Sequence, residues 1–295
     1  MSQPKIEFYK IRDFGAKMNA TIEFLRENMG RLFLNLLFIG GPVALLMSII
    51  FTNIFSSMGD AVGIEDESQA LNFFAVLGGN YFMIMLISWL AGSMVICVSM
   101  TYVRLYNEGV AKETPVGDVL KLALKKYGGV LLLGILVAFI VFISFFVFIL
   151  PGIFMLFVLP LAFATYMFED ISAPNALGRT FTLLKDKWWS TFGIGLVGYI
   201  LAYVIQLVFS LPTMVVYFAN IFTLIEEASN NPSDPSAVFE MFSSGYMTAA
   251  FAISMVGGYL SYSIPLIAYS YQYANLVERS EGRGLMNEIE GFDKE

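Results

Sequence analysis

Few residues in this chain could do covalent or metal chemistry. It has no histidine and a single cysteine, Cys97, set inside an apolar run. Imidazole bases and His-ligated zinc or haem are therefore out, and one thiol forms no intramolecular disulfide. A Ser–His dyad, a paired-aspartate site and an H-E-x-x-H helix each need residues that the apolar stretches lack. Glu169-Asp170, directly after such a stretch, reads as solvated flank, with a catalytic site at that face as the alternative. Gly193-Ile-Gly195-Leu-Val-Gly198 has the letters of a dinucleotide fingerprint. That fingerprint needs a preceding strand and a helix N-terminus aimed at pyrophosphate. Inside an uncharged run the same glycines predict close helix packing, as do the small-residue pairs Ser88/Gly92, Gly198/Ala202 and Gly257/Ser261. The acids Asp60, Glu65, Asp66 and Glu67 lack the spaced oxygen ligands of a calcium loop, and they and the polar Glu226–Glu240 segment predict solvated loops. No catalytic residue, metal or cofactor is expected.

What remains is charge beside aromatic rings. Lys121, Lys125, Lys126, Arg179, Lys185 and Lys187, with Trp188 and Trp189, suit contact with anionic headgroups of the inner leaflet. The plainer reading of the same residues is topology-setting charge plus an aromatic belt. In the tail, Leu285, Ile289 and Phe292 fall at i, i+4 and i+7 among acids, as a docking helix for a protein partner or as a frayed terminus. Nucleic acid is not an expected partner. Asn80, Ser144, Thr165, Gln206, Ser261 and Ser263 are the polar residues of the spans, expected to bond neighbouring helices or backbone freed by proline.

The elements that position these residues follow from composition. Of 295 residues 57% are hydrophobic and only 14% charged, with a mean hydropathy of +0.70. About a quarter would be charged in a soluble domain. Leu32–Gly59, Gln69–Val103, Tyr127–Phe168, Trp188–Ile225 and Met241–Val277 contain no Asp, Glu, Lys or Arg. A helix needs about 20 apolar residues to cross the hydrocarbon core, so each stretch is long enough. The third is double length, and Pro151-Gly152 at its middle predicts a hairpin of two helices, Gly128–Leu150 and Gly152–Phe168. The expected fold is all-α, a single integral membrane domain over residues 1–295 with six spans. All 17 Lys and Arg lie in the segments through Arg31, Arg104–Lys126, Glu169–Lys187 and from Glu278 onward. The positive-inside rule then places both termini in the cytoplasm, with residues 279–295 as an acidic cytoplasmic tail. About 30 polar and charged residues precede the first span, which is expected to act as an uncleaved signal anchor.

The cytoplasmic segments also repeat. Met18/Ile22/Leu25/Met29, Val116/Leu120/Ala123/Tyr127 and Leu177/Phe181/Leu184/Trp188 each fall at i, i+4, i+7 and i+11. The spans that follow the last two sets end alike, at Phe148-Ile-Leu-Pro151 and Phe209-Ser-Leu-Pro212. Their return helices share Leu159-Pro160-Leu161 and Ile264-Pro265-Leu266. Three tandem units are expected, about 14–109, 110–171 and 172–278, each an interfacial amphipathic helix followed by a transmembrane hairpin. Pro151, Gly152, Pro160, Pro212 and Pro265 are its helix-breaking marks.

The Pro151-Gly152 hairpin, the Pro160 helix, Ala176-Leu177-Gly178-Arg179 and Lys185-Asp-Lys-Trp-Trp189 resemble the membrane domain of bacterial glycerophosphodiester phosphodiesterases and its stand-alone six-span relatives. The likeness runs from about Gly128 to Leu201. It implies a bacterial cytoplasmic (inner) membrane and a six-helix bundle, without phosphodiester chemistry, which belongs to a separate barrel with catalytic His and Glu. The leading expectation is a non-catalytic membrane protein that organises a partner protein or inner-leaflet lipid. A carrier or flippase-like protein for a lipid or apolar substrate is the alternative, and an enzyme with a cytoplasmic-face site comes third.

Overall fold

Backbone groups in a long apolar run have no water to bond, so the run must satisfy them internally, and a helix does so within one segment. The computed structural model describes residues 6–60, 67–230 and 236–292, and all regular structure among them is helical. The helices are α1 (Phe14–Asp60), α2 (Glu67–Asn107), α3 (Val116–Val147), α4 (Ile149–Val158) and α5 (Leu161–Phe168). They continue as α6 (Ala173–Leu184), α7 (Trp188–Asn230), α8 (Ser236–Ser243), α9 (Gly245–Glu281) and α10 (Arg283–Phe292). Six segments among the described residues are long and apolar enough to cross a membrane: Phe14–Gly59, Ser68–Asn107, Val116–Val147, Ile149–Phe168, Trp188–Glu226 and Gly245–Glu281. Glu65, Asp66 and the centre of the polar 226–240 segment lie outside the described residues, as do the side chains of Asp60, Glu67 and Phe292.

The hairpin forms, but its turn is not at Pro151-Gly152. α3 ends at Val147, and one extended residue, Phe148 (φ −165°, ψ 144°), reverses the chain into α4. Pro151 then sits in the first turn of α4, where its missing N–H has no acceptor to lose. Gly152 lets the two arms close, since a Cβ there would meet the Phe145 ring at 2.4 Å. Pro160 does mark a joint, between α4 and α5. Pro212 and Pro265 break nothing, lying inside continuous α7 and α9. A spanning helix keeps its course past one lost backbone bond because neighbouring helices hold both flanks.

Two compact units are distinguished, one of residues up to Leu36, Ser93–Tyr203 and from Tyr262 onward, the other of Leu37–Gly92 and Val204–Ser261. The first has an aromatic core. Tyr102, Tyr269, Tyr271, Tyr273 and Phe24 are all fully buried, and Phe24 meets Tyr106 edge-on at 4.9 Å. Such ring pairs contribute about 0.5–1.5 kcal/mol beyond their buried area. The Gly193–Gly198 motif serves this packing. A Cβ at Gly195 would lie 2.2 Å from Tyr269 Oη and one at Gly198 would lie 3.1 Å from Pro265 Cα. In the second unit Phe51 meets Phe251 and Phe55 stacks on Phe242, both at 4.7 Å, while Gln206 Nε2 donates to Ser254 O at 3.0 Å. Gly257 there seats Phe209, whereas Gly92 has nothing within 4 Å of a built Cβ.

The amphipathic segments differ from expectation. In α1 and α3 they run without a break into the spans, and only α6 is a separate helix. The faces are turned only in part as the apolar spacing suggests, with Met18, Leu25, Ala123 and Leu184 of the expected rows buried. On α1 the most deeply buried row is Lys17, Thr21, Phe24 and Asn28, and Met29, of the expected row, is exposed. On α6 the buried row is Ala173, Ala176, Thr180, Leu183 and Leu184, while Phe181 is exposed. Small and hydroxyl side chains let helices approach and bond, so Thr180 Oγ1 donates to Thr165 Oγ1 at 3.0 Å where α6 meets α5.

Candidate functional site

The charged residues of the first unit divide into those tied to one another and those left free. Glu169 and Asp170, adjacent in sequence, have opposite surroundings. Asp170 is exposed and accepts from Lys126 Nζ at 3.0 Å, a bond that holds its carboxyl below the usual range. Lys126 also lies 5.0 Å from the Tyr166 ring centroid. Glu169 keeps only 10% side-chain exposure. Its Oε1 accepts from Tyr273 Oη at 3.0 Å and Arg179 Nε at 3.3 Å, with Arg283 at 3.7 Å. Glu281 pairs with Arg179 and, at 2.8 Å, with Arg283. Burial alone would lower the Arg179 guanidinium, but the two carboxylates outweigh it and raise it. Two acids and two guanidiniums close on themselves, fastening the ends of α5 and α9 to α6 and α10. This is the geometry of a structural tie, and it takes Arg179 and Lys126 out of the set of free headgroup cations.

The N-terminal segment is a second element that the spacing of charges does not show. Residues 6–13 run along the first unit, with the Arg12 guanidinium 5.6 Å from the Tyr271 ring centroid and buried, which lowers it. Asn275 Nδ2 donates to Arg12 O at 2.9 Å, and Phe8 meets Phe168 at 4.8 Å. One helical turn further on, Lys17 is 3% exposed. Its Nζ donates to Gln272 Oε1 at 2.6 Å and Ser190 Oγ at 2.8 Å, and Gln272 Nε2 donates to Thr191 Oγ1 at 2.8 Å. No carboxylate lies within ion-pair distance of it among the described residues. Sequence reasoning counted Lys17 with the flanking cations. Its only signal is its place one residue before Met18, on a row shared with Thr21, Phe24 and Asn28.

Ser190 leads from that buried ammonium to an apolar groove of the unit. This groove, about 860 Å³, lies between the start of α4 and the start of α7. Its walls are Leu150, Pro151, Ile153, Phe154 and Met155 on one side and Trp188, Trp189 and Phe192 on the other, with Asp186 and Ser190 as its polar members. Phe154 stands at the centre, 5.1 Å from Trp189, 5.2 Å from Phe192 and 6.2 Å from Trp188. At one edge is the turn Lys185-Asp186-Lys187, closed by Lys187 N donating to Leu184 O at 2.8 Å, with Asp186 at φ +62°. Among the described residues, the side chains of these three make no hydrogen bond or ion pair. Of the sequence expectation, Pro151, Trp188 and Trp189 line the groove, Lys185 and Lys187 flank its Asp186 in the turn, and Gly152 packs against Phe145 instead. Lys121, paired with Asp118 at 2.9 Å, and Lys125 are exposed on α3, away from the groove lining. In the tail, α10 exposes Leu285, Met286 and Ile289 together. No family model, curated protein or solved structure matches this chain.

Proposed function

We propose that this is a non-catalytic multi-pass protein of the bacterial cytoplasmic membrane, termini inside, which holds phospholipid at the inner leaflet. The observation that carries the reading is the aromatic groove with three unpaired charges at its rim. Apolar walls suit acyl chains, Trp belongs at the interface, and free charges beside it suit a headgroup. The concentration of Lys and Arg in four segments supports the orientation. The seating of Met18 against Ala268 and of Thr180 against Thr165 supports three related units, each amphipathic segment lying on a return helix. A first-unit core filled by four buried tyrosines supports a scaffold over a carrier.

The test is lipid analysis of protein extracted with its own membrane in polymer discs. Phospholipid should co-purify at fixed stoichiometry and be lost on combining Trp188→Ala with Phe154→Ala. Retention of the same lipid by the double variant would refute the groove as its site. The exposed Leu285/Met286/Ile289 stripe of α10 favours a second reading, docking of a cytoplasmic protein. Deleting residues 283–295 should then release a co-purifying protein without changing bound lipid.

A further inference from the structure

We infer that the groove selects a phospholipid whose headgroup carries a primary ammonium, with its phosphate at Ser190 and Lys187 and its amine at Asp186. This rests on the lipid-holding reading above and adds the class of headgroup. The polar inventory of the site carries it. Ser190 Oγ accepts a hydrogen bond from Lys17 Nζ at 2.8 Å, so its own hydroxyl proton remains to donate. Behind it stands an ammonium that is 3% exposed and has no carboxylate within ion-pair distance among the described residues, which makes this end of the groove electropositive. A phosphate oxygen is the acceptor that fits there, with Lys187 alongside.

The other polar wall has the opposite sign. Asp186 lines the groove, its side chain makes no ion pair or hydrogen bond among the described residues, and it sits at φ +62°, a backbone region that few non-glycine residues occupy. A lipid bearing only negative charge would leave this carboxylate unpaired beside its phosphate. A headgroup with phosphate and ammonium two carbons apart offers each wall its counter-charge. Trp188 and Trp189, on the same turn of α7, add ring faces for the cation. The volume of about 860 Å³ fits one headgroup with the first part of its acyl chains, within the ordinary range of ligand sites.

The experiment is native mass spectrometry of the whole chain in nanodiscs of equimolar phosphatidylethanolamine and phosphatidylglycerol. The ethanolamine lipid should be enriched on the protein by on the order of fivefold, the ratio one partly screened ion pair supports. Asp186→Asn should bring the ratio close to one with total bound lipid unchanged. Asn tolerates positive φ, so this variant keeps the turn. Ser190→Ala should lower the retention of both lipids. Enrichment of phosphatidylglycerol, or a preference that survives Asp186→Asn, would overturn the inference while leaving lipid holding intact. Absence of any retained phospholipid would overturn both. Displacement of bound lipid by millimolar phosphoethanolamine would show that the headgroup alone suffices, and would overturn the assignment to a lipid.

Discussion

Glu169 and Asp170 are neighbours of like charge, and the structure predicts that removing the charge from one matters and from the other does not. Glu169→Gln keeps the side chain's shape and one acceptor oxygen but loses the charge that faces Arg179, Arg283 and the Tyr273 hydroxyl. A hydrogen bond to a charged group contributes about 1.5–3 kcal/mol, and breaking a buried pair costs about 3–5 kcal/mol. Two features reduce the loss here. Both guanidiniums keep Glu281, and their side chains retain 25% and 36% exposure. A net destabilisation of roughly 2 kcal/mol remains, about a thirtyfold fall in the folding equilibrium. Asp170→Asn removes a solvent-exposed carboxylate from its pair with the half-buried Lys126 and should leave stability unchanged within error. Reversible SDS unfolding of both variants in mixed micelles measures the difference. Equal midpoints for the two, or a larger shift for Asp170→Asn, would refute the assignment of Glu169 to a buried tie.

Gly195→Ala should destabilise by about 1–3 kcal/mol in the same assay, because its Cβ meets the Phe157 carbonyl oxygen at 2.6 Å as well as Tyr269. Gly92→Ala, with open space around its Cβ, should be neutral or stabilising by up to about 1 kcal/mol through helix propensity. Asn275→Ala should free the N-terminal segment, seen as faster hydrogen exchange over residues 7–12 with little change in α9. For pH, the small contribution of the exposed, depressed Asp170 carboxyl is complete above its ordinary value of 3.8 and is lost as pH falls through its lower folded value. The raised Arg179 guanidinium contributes stability that is complete below its ordinary value and is lost only as pH rises beyond it. SDS midpoints should therefore be level from about pH 5 to about pH 7, and a decline centred in that window would contradict these assignments.

The sequence by itself determined the helices, the six segments fit to span a membrane, and the gathering of positive charge, since length, apolarity and the lack of internal charge decide these without reference to neighbours. It also placed Lys185, Asp186, Lys187, Trp188 and Trp189 side by side. The opposite wall of the groove, from Leu150 to Met155, came only with the fold, because nothing in the spacing says which helix lies beside the start of α7. The turn of the hairpin fell at Phe148 rather than Pro151-Gly152 because a proline in a first helical turn loses no bond. Most of all, tertiary structure decided which faces look inward. Apolar periodicity picks out Met18, Ile22, Leu25 and Met29, by a rule learned from proteins in water. Where acyl chains are the solvent, apolar side chains gain nothing by leaving it, and helices meet through small, polar and aromatic groups that bond or interlock. Lys17, Thr21 and Asn28, ahead of the first apolar stretch, are buried because their polar atoms find partners inside the unit, and the ammonium behind Ser190 was hidden among flanking charges until the helices were in place.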